Sequence, residues 1–152
     1  MNFFENIEIK AKQDEIVKRV AGAIITNVVG KILLLQRPLD DFMGGILELP
    51  SGNVKAGEAI NQGLVREVKE ETNLDTRTIG MFINSFDYLS SSGKKSRQFN
   101  FEVKVENYEN IILTEHDNYV WLDYEEVRNN ERITDEVKYT IEIYNYNKNI
   151  EQ

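Results

Sequence analysis

One segment of the chain, residues 58–72, is predicted to be a helix whose charges oppose its own stability. Glu67, Glu70 and Glu71 fall within an arc of about 100° when successive residues are placed roughly 100° apart around a helix. Like charges three or four residues apart on a helix repel, at about 0.2–0.5 kcal/mol per pair. These acids also lie in the last turns, where the helix dipole favours cations. The arrangement predicts that the carboxylates hold a divalent cation, and the alternative is a charged face that only meets solvent.

An apolar stripe borders the acidic arc on the same helix. We expect this stripe, formed by Leu64, Val65, Val68 and Thr72, to face the core. Asn73 is predicted to end the helix, because asparagine tolerates the left-handed conformation that follows many helices.

The rest of the chain is predicted to contain short strands and helices without regular alternation. Apolar runs bounded by Gly, Pro, Asn or Ser indicate strands, and apolar residues at helical spacing indicate helices. The predicted strands are 20–26, 31–36, 46–49, 78–89, 97–105 and 119–122, and the predicted helices besides 58–72 are 124–129 and 134–146. The first two strands are almost continuously apolar, so we expect both of their faces to be covered. This mixture predicts an α/β (α+β) fold with a mixed β-sheet between helices.

The two ends of the chain carry weaker patterns. Residues 1–18 are mixed and charged, and we expect an N-terminal extension that forms a short edge strand or docks on the body through its apolar side chains. The asparagine-rich residues 147–152 are predicted to fray. A length of 152 residues predicts a single domain, 1–152.

Composition argues against several classes of protein. The net charge of −8 disfavours a surface for a nucleic acid polymer, which needs a basic patch. Because there are no cysteines, we expect no disulfide, no thiolate metal site and no cysteine nucleophile. No apolar stretch approaches the roughly 20 residues that span a bilayer, and residues 1–10 lack the pattern of a signal peptide. A cytoplasmic protein without a membrane partner is therefore predicted.

The charged helix and the loop before it have the spacing of a known motif. The motif consists of Gly52, five residues, Glu58, seven residues, then Arg66-Glu67-Val68-x-Glu70-Glu71-x-Asn73-Leu74. It resembles the box of the Nudix hydrolase family, G-x5-E-x7-R-E-U-x-E-E-x-G-U, where U is a bulky aliphatic residue. Eight of the nine specified positions agree, and Asn73 stands where the family has glycine. Such spacing is a strong motif, and the chain looks like a MutT-like member of the family.

The resemblance implies the Nudix α/β/α sandwich. It also implies hydrolysis, dependent on Mg²⁺ or Mn²⁺, of a nucleoside diphosphate linked to another group X. By the same resemblance, Glu70 and Glu71 are the main metal ligands, and Glu67 adds a metal contact or activates water. Arg66 would hold the glutamates in place through ion pairs. Glu58, near the loop–helix junction, is expected to support the site and is grouped with the substrate-binding residues.

Other positions are predicted to complete the site. The resemblance implies a backbone carbonyl from Ser51 or Gly52 as a further metal ligand. Arg37, at the end of the second strand, is predicted to touch a substrate phosphate. Glu115, in a later loop, is predicted to be a catalytic base or a further metal ligand, whereas the neighbouring His116 is expected to be an ordinary loop histidine.

The substrate class rests on weaker features. The compact chain resembles MutT-type nucleoside triphosphate pyrophosphohydrolases, including those for modified or oxidised nucleotides. Tyr88, fourteen residues past Leu74, resembles the tyrosine of dinucleoside polyphosphate hydrolases and is predicted to bind substrate. By the same resemblance, members that cleave ADP-ribose often carry a proline after the box, and this chain has prolines only at Pro38 and Pro50, before it, which disfavours that class. ADP-ribose, NDP-sugars and a non-catalytic nucleotide-binding module stay as alternatives. The expected partner is a small nucleotide, and a homodimer is left open.

Overall fold

Seven strands and four helices form within residues 2–151, the part of the chain that the computed structural model describes. The strands are β1 (Lys18–Ile24), β2 (Ile32–Gln36), β3 (Leu47–Glu48), β4 (Ser51–Asn53), β5 (Thr76–Leu89), β6 (Lys95–Val105) and β7 (Asn118–Leu122). The helices are α1 (Phe3–Gln13), α2 (Ile60–Thr72), α3 (Tyr124–Arg128) and α4 (Asp135–Ile150). Over the same residues, no helix has both the length and the apolar character needed to cross a lipid bilayer.

The strands form two sheets. The first has the order β4-β1-β6-β5, in which β1 and β6 are parallel and the other neighbours are antiparallel. The second, β3-β2-β7, is entirely antiparallel. The predicted mixed sheet is therefore confirmed, and a second sheet accompanies it. Although β1 and β2 follow each other in sequence, they lie in different sheets and meet through a single bridge between Thr26 and Ile32. Gly30 turns the chain between them with a φ of 82°.

Side chains of β1 and β2 alternate between two cores. One core contains Ala21, Ala23, Leu33 and Leu35 together with apolar residues of α1, α2 and β6. The other contains Ile24, Ile32 and Leu34 together with apolar residues of α3 and α4. Because successive strand residues point to opposite faces, near-continuous apolar runs fit strands that are covered on both sides. The strands thus lie between α1 and α2 on one side and α3 and α4 on the other, as the predicted fold class requires.

Residues 1–18 contain helix α1, so the predicted edge strand is wrong. Asn2 accepts a hydrogen bond from the Glu5 N–H at 2.9 Å, and Glu5 accepts one from the Asn2 N–H at 3.3 Å. This reciprocal cap satisfies backbone groups that a helix start otherwise leaves free. The Phe4 ring packs on the Phe101 ring, with centroids 5.5 Å apart. The alternative prediction, that the segment docks on the body, is confirmed.

The predicted fraying of residues 147–152 is wrong as far as Ile150, where α4 ends. Lys148 pairs with the buried Glu102 at 3.0 Å, which ties the last turn of the helix to β6. Gln152 and Met1 lie outside the described residues. The single domain spanning the whole chain stays a prediction.

Helix α2 buries three of the four residues predicted to face the core. Its buried residues are Ile60, Gly63, Leu64, Val68, Glu71 and Thr72. Val65, which we predicted to face the core, is 40% exposed. The helix is rotated so that its acidic edge, with Glu71, turns inward in place of Val65. A potential ligand is therefore buried against the sheet.

Asn73 ends α2 in the left-handed conformation, as predicted. Its φ is 68° and its ψ is 3°, and its N–H donates to the Lys69 carbonyl at 2.9 Å. The Asn73 side-chain amide also donates to the Asn110 carbonyl at 3.2 Å. Asparagine at this position therefore adds a contact with a later loop that glycine would lack.

We expect Asn73→Ala to lower the free energy of unfolding by about 1 kcal/mol, because alanine pays more than asparagine for the left-handed conformation. Urea denaturation measures the change. Asn73→Gly is the matched control, since it loses the same side-chain hydrogen bond without the backbone penalty. Equal destabilisation by the two substitutions would contradict the conformational explanation.

Candidate active site

A short strand that sequence patterns did not predict precedes the charged helix. In β4, Ser51 pairs with Gly22 and Gly52 pairs with Ala21 of β1. The chain then loops through residues 54–59 and enters α2, which packs back on β1 and β4. Strand, loop and helix therefore bring Ser51 and Gly52 against the acidic edge of α2.

Gly52 lies so close to the Glu67 carboxylate that only glycine fits at position 52. A Cβ atom built on Gly52 would lie 2.1 Å from the Glu67 Cδ and Oε2 atoms. Such a distance is far inside van der Waals contact, so a side chain here would displace the carboxylate. The glycine of the motif is required by close approach and not by a left-handed turn.

Arg66 is the centre of the charged network. Its Nε and Nη2 atoms donate to the two Glu58 carboxylate oxygens, each at 2.9 Å. Nη1 donates to Glu67 at 2.8 Å and to Glu70 at 3.0 Å, and Nη2 also donates to the Asn53 carbonyl at 2.9 Å. These five bonds match the five N–H groups of a guanidinium. The hydrogen bonds from Arg66 lower the pKa of Glu58 to about 2, and Glu58 in turn raises the pKa of Arg66.

The three carboxylates of the acidic edge have different surroundings. Glu71 is buried, accepts the Ser51 N–H at 2.7 Å, and has a pKa that burial raises to about 8. Burial also raises the pKa of Glu67, although the ion pair with Arg66 opposes the shift. Glu70 has a side chain that is 54% exposed. An ionised carboxylate in the position of Glu71 needs a positive charge nearby.

His116 lies beside Glu71 and is one of two functional candidates that the sequence did not reveal. Its side chain is 6% exposed, its Nε2 atom is 2.8 Å from a Glu48 oxygen, and its Nδ1 atom is 3.9 Å from a Glu71 oxygen. The Nδ1 atom is buried and has no hydrogen-bond partner among the described residues. Burial disfavours a charge on the imidazole, but the Glu48 hydrogen bond and the nearby Glu71 raise its pKa overall. His116 therefore lies between the buried Glu71 and the partly buried Glu48.

Glu48, the second missed residue, is paired with Arg37. The Arg37 Nη2 atom donates to Glu48 at 2.7 Å, and its Nη1 atom donates to the Phe42 carbonyl at 2.7 Å. Burial tends to raise the pKa of Glu48, but hydrogen bonds from His116 and Arg37 lower it. The guanidinium predicted to touch a phosphate is thus already engaged, and its contact with substrate stays a prediction. A signal for Glu48 was present in the sequence, because a charged residue between Leu47 and Leu49 interrupts an apolar strand.

Several predicted residues line one cavity of about 300 Å³, which we call the box cleft. They are Arg37, Ser51, Gly52, Glu71, Tyr88 and Glu115. Glu115 is exposed there. Glu58 does not line the box cleft, because its carboxylate is turned to Arg66. The structure gives Glu58 a supporting position, and a direct contact with substrate stays a prediction.

A second cavity of about 420 Å³ continues from the box cleft, and we call it the aromatic cleft. The two share Arg37, Phe42, Glu48, Ser51, Tyr88 and Ser91. Phe86 and Met43 add apolar surface. Phe42 is 57% exposed and Tyr88 is 38% exposed, so both rings offer a face to a ligand.

The donors at the box cleft suit a hard divalent cation. Mg²⁺ and Mn²⁺ prefer oxygen ligands, and the acidic edge of α2 offers carboxylates beside the backbone of β4. Within residues 2–151, no three Asp, Glu, His or Cys side chains converge in a ready-made metal arrangement. Arg66 holds Glu67 and Glu70, and the Ser51 N–H holds Glu71. The ligand set and the carbonyl contact of Ser51 or Gly52 stay predictions.

Comparison with known proteins decides the family. A family model described as the NUDIX domain matches residues 17–142. The chain belongs to the Nudix family. The box predicted at residues 52–74 lies within the matched region, so the resemblance drawn from the sequence is confirmed.

Individual relatives match shorter segments. The 8-oxo-dGTP diphosphatase of Proteus vulgaris is 36% identical over 56 residues, which cover 37% of this chain and 50% of that protein. The CTP pyrophosphohydrolase of Escherichia coli (strain K12) is 41% identical over 66 residues, which cover 43% of this chain and 47% of that protein. The matches thus span about half the length of these curated relatives.

A solved structure shares the fold of this chain. The solution structure of the E. coli ORF135 protein superposes with a TM-score of 0.69 at 29% identity. It covers 84% of this chain and 87% of its own. The α/β/α arrangement predicted from the sequence is therefore correct.

We expect Gly52→Ala to displace the Glu67 carboxylate and to weaken Mn²⁺ binding about 10–100-fold, the range typical of residues that orient ligands. Titration of Mn²⁺ followed by electron paramagnetic resonance measures the affinity. Gly30→Ala, at the β1–β2 turn with a φ of 82° and outside both clefts, is the control for a glycine replaced away from the site. Similar affinities for all three proteins would show that position 52 does not need glycine.

We expect the metal-free protein to lose stability as the pH rises from about 4.5 to about 8. In that window the unfolded chain ionises Glu71 while the folded protein keeps it protonated, because burial raises its pKa. The loss is at most about 1.4 kcal/mol for each pH unit. Glu71→Gln should remove this component from denaturation curves recorded in EDTA. The exposed Glu109→Gln should retain it, and an unchanged slope in Glu71→Gln would contradict the assignment.

Proposed function

We propose that this protein is a divalent-metal-dependent Nudix hydrolase that cleaves a phosphoanhydride bond of a nucleoside diphosphate linked to a group X. The observation that carries the proposal is the buried Glu71 carboxylate, which lies in a Nudix box that retains Arg66, Glu67 and Glu70 and which lines the box cleft. A carboxylate that is costly to ionise alone becomes favourable beside a cation. Mg²⁺ or Mn²⁺, held by Glu70, Glu71 and Glu67, would supply positive charge that offsets the phosphate oxygens.

Residues of the chain would supply the base and orient the metal ligands. Arg66 occupies one Glu67 oxygen, Oε1, and leaves Oε2 free to accept a proton from an attacking water. Glu115, which lines the box cleft, is the other candidate base. Ser51 orients Glu71 through its backbone N–H. The protein mainly positions groups that would otherwise repel each other and the substrate.

We propose a nucleoside triphosphate, including modified or oxidised forms, as the substrate. The adjoining aromatic cleft supports this proposal, because Phe42 and Tyr88 offer apolar faces on which a base could stack beside the box cleft. The names of the relatives from Proteus vulgaris and E. coli also refer to nucleoside triphosphates. Dinucleoside polyphosphates are the second candidate substrate, because Tyr88 resembles the tyrosine of dinucleoside polyphosphate hydrolases and lines both clefts. Cytoplasmic location and dimerisation stay predictions.

A panel of nucleotides with Mg²⁺ tests the function. It contains nucleoside triphosphates, 8-oxo-dGTP, NDP-sugars, ADP-ribose and dinucleoside polyphosphates, and chromatography identifies the products. We expect hydrolysis within the triphosphate group. Glu70→Gln should reduce turnover by at least about 10²-fold, because it removes a ligand charge while the fold persists. Glu142→Gln, an exposed acid on α4, is the control and should keep full turnover.

If nucleotides bind but none on the panel is hydrolysed, the proposed function would be wrong and the protein would be a non-catalytic nucleotide-binding module. Full turnover in Glu70→Gln would instead refute the assigned metal site.

A further inference from the structure

Helix α1 lies before the residues matched by the family model, yet one of its ion pairs reaches Arg19, a residue of β1 that in turn contacts the Nudix box. The Arg19 Nη1 atom, at the start of β1, donates to the two Glu8 carboxylate oxygens at 2.5 and 2.6 Å. The side chains are only 20% and 22% exposed, so water screens this pair less than a surface pair. The pair joins the middle of α1 to the start of β1.

The same guanidinium holds the loop of the box. The Arg19 Nη2 atom donates to the Lys55 carbonyl at 2.8 Å, and Nη1 is 3.3 Å from the Glu58 carbonyl. The Arg19 carbonyl accepts the Val54 N–H at 2.9 Å. Between the two carbonyls the chain turns at Gly57, whose φ is 80°. Arg19 thus fixes both ends of the turn that leads into α2.

This turn also carries the residue that orients Arg66. The Glu58 carboxylate accepts the Lys55 N–H at 3.0 Å across the turn and binds two nitrogens of Arg66 at 2.9 Å. A shift of the turn would therefore move the Glu58 carboxylate and loosen Arg66. A continuous series of contacts runs from Glu8 through Arg19 and the turn to the acidic edge of α2.

Contacts at both ends of α1 hold Glu8 in place. Near the start, the Phe3 ring packs on Phe82 with centroids 5.0 Å apart. Past the end, Asp14 pairs with Arg97 of β6 at 2.9 Å. The helix is therefore a rigid support and not a loose extension.

We propose that α1 is a positioning element of the Nudix box, in which Glu8 holds Arg19, Arg19 holds the turn of residues 55–58, and the turn holds Glu58 against Arg66. The inference rests on the proposed function for its effect on catalysis. The contacts themselves do not depend on which substrate is cleaved.

The test uses the full-length protein and compares Glu8→Gln with Asp14→Asn. Both substitutions remove one charge of a partly buried ion pair, within α1 for Glu8 and directly after it for Asp14, with side chains 22% and 27% exposed. Only Glu8 is connected to the box, through Arg19. The first readout is the hydrogen exchange of the Arg66 Nε–H, followed by NMR and assigned from the resonance missing in Arg66→Lys. The second is Mn²⁺ affinity. Thermal unfolding records the loss of stability in each variant.

We expect Glu8→Gln to accelerate exchange of the Arg66 Nε–H and to weaken Mn²⁺ binding about threefold to tenfold, below the 10–100-fold typical of residues that touch the ligands themselves. Asp14→Asn should change only the stability. Arg19→Lys should behave as Glu8→Gln, because an ammonium cannot bridge Glu8 and both carbonyls. With an active substrate, kcat should fall while KM stays constant.

Equal Arg66 exchange and equal Mn²⁺ affinity in Glu8→Gln, Arg19→Lys and Asp14→Asn would overturn the inference. The absence of hydrolysis with accelerated Arg66 exchange in Glu8→Gln would refute the proposed function and support the positioning role. Hydrolysis by the wild type together with unchanged Arg66 exchange in Glu8→Gln would support the proposed function and refute the positioning role.

Discussion

The five hydrogen bonds of Arg66 are the interaction on which the site depends. A guanidinium has five N–H groups in a fixed plane, and here each one meets an oxygen of the box. Its single positive charge is shared among Glu58, Glu67 and Glu70, so the group remains negative overall. Lysine could neither reach these acceptors together nor keep their geometry. The box is therefore a preorganised anionic surface that one internal cation orders but does not neutralise.

Much of the fold was open to prediction because its signals are local. Apolar runs and turn residues gave most strands, and Asn73 indicated the end of α2 through its own conformational preference. The spacing from Gly52 to Leu74 identified the family, since close approach, helix geometry and charge fix each position within a short segment. The close contact of Gly52 with Glu67 shows why the glycine belongs to the motif.

Other features depend on partners distant in sequence and were missed or wrong. Strand β4 has three residues and contains a glycine, so it has no periodicity, and its pairing with β1 defines it. Helix α1 is the exception, because its reciprocal cap of Asn2 and Glu5 is a local signal, although the apolar residues of 1–18 alone do not distinguish a helix from an edge strand. Glu48 and His116 lie 68 residues apart, and their contact follows from the meeting of β3 with the loop before β7. Burial of Glu71 in place of Val65 is likewise decided by packing.

The parallel pairing of β1 with β6 bears on how such a site can form during folding. The ion pairs of Arg66 join residues of one short segment, so they can assemble as soon as that segment collapses. The contact between Asp14 and Arg97 closes a loop of 83 residues, and the parallel strands beside it must wait for the same closure. Long-range pairing is the slow step in mixed sheets. The charged box is therefore expected to exist as a local structure before the strand that supports it is anchored.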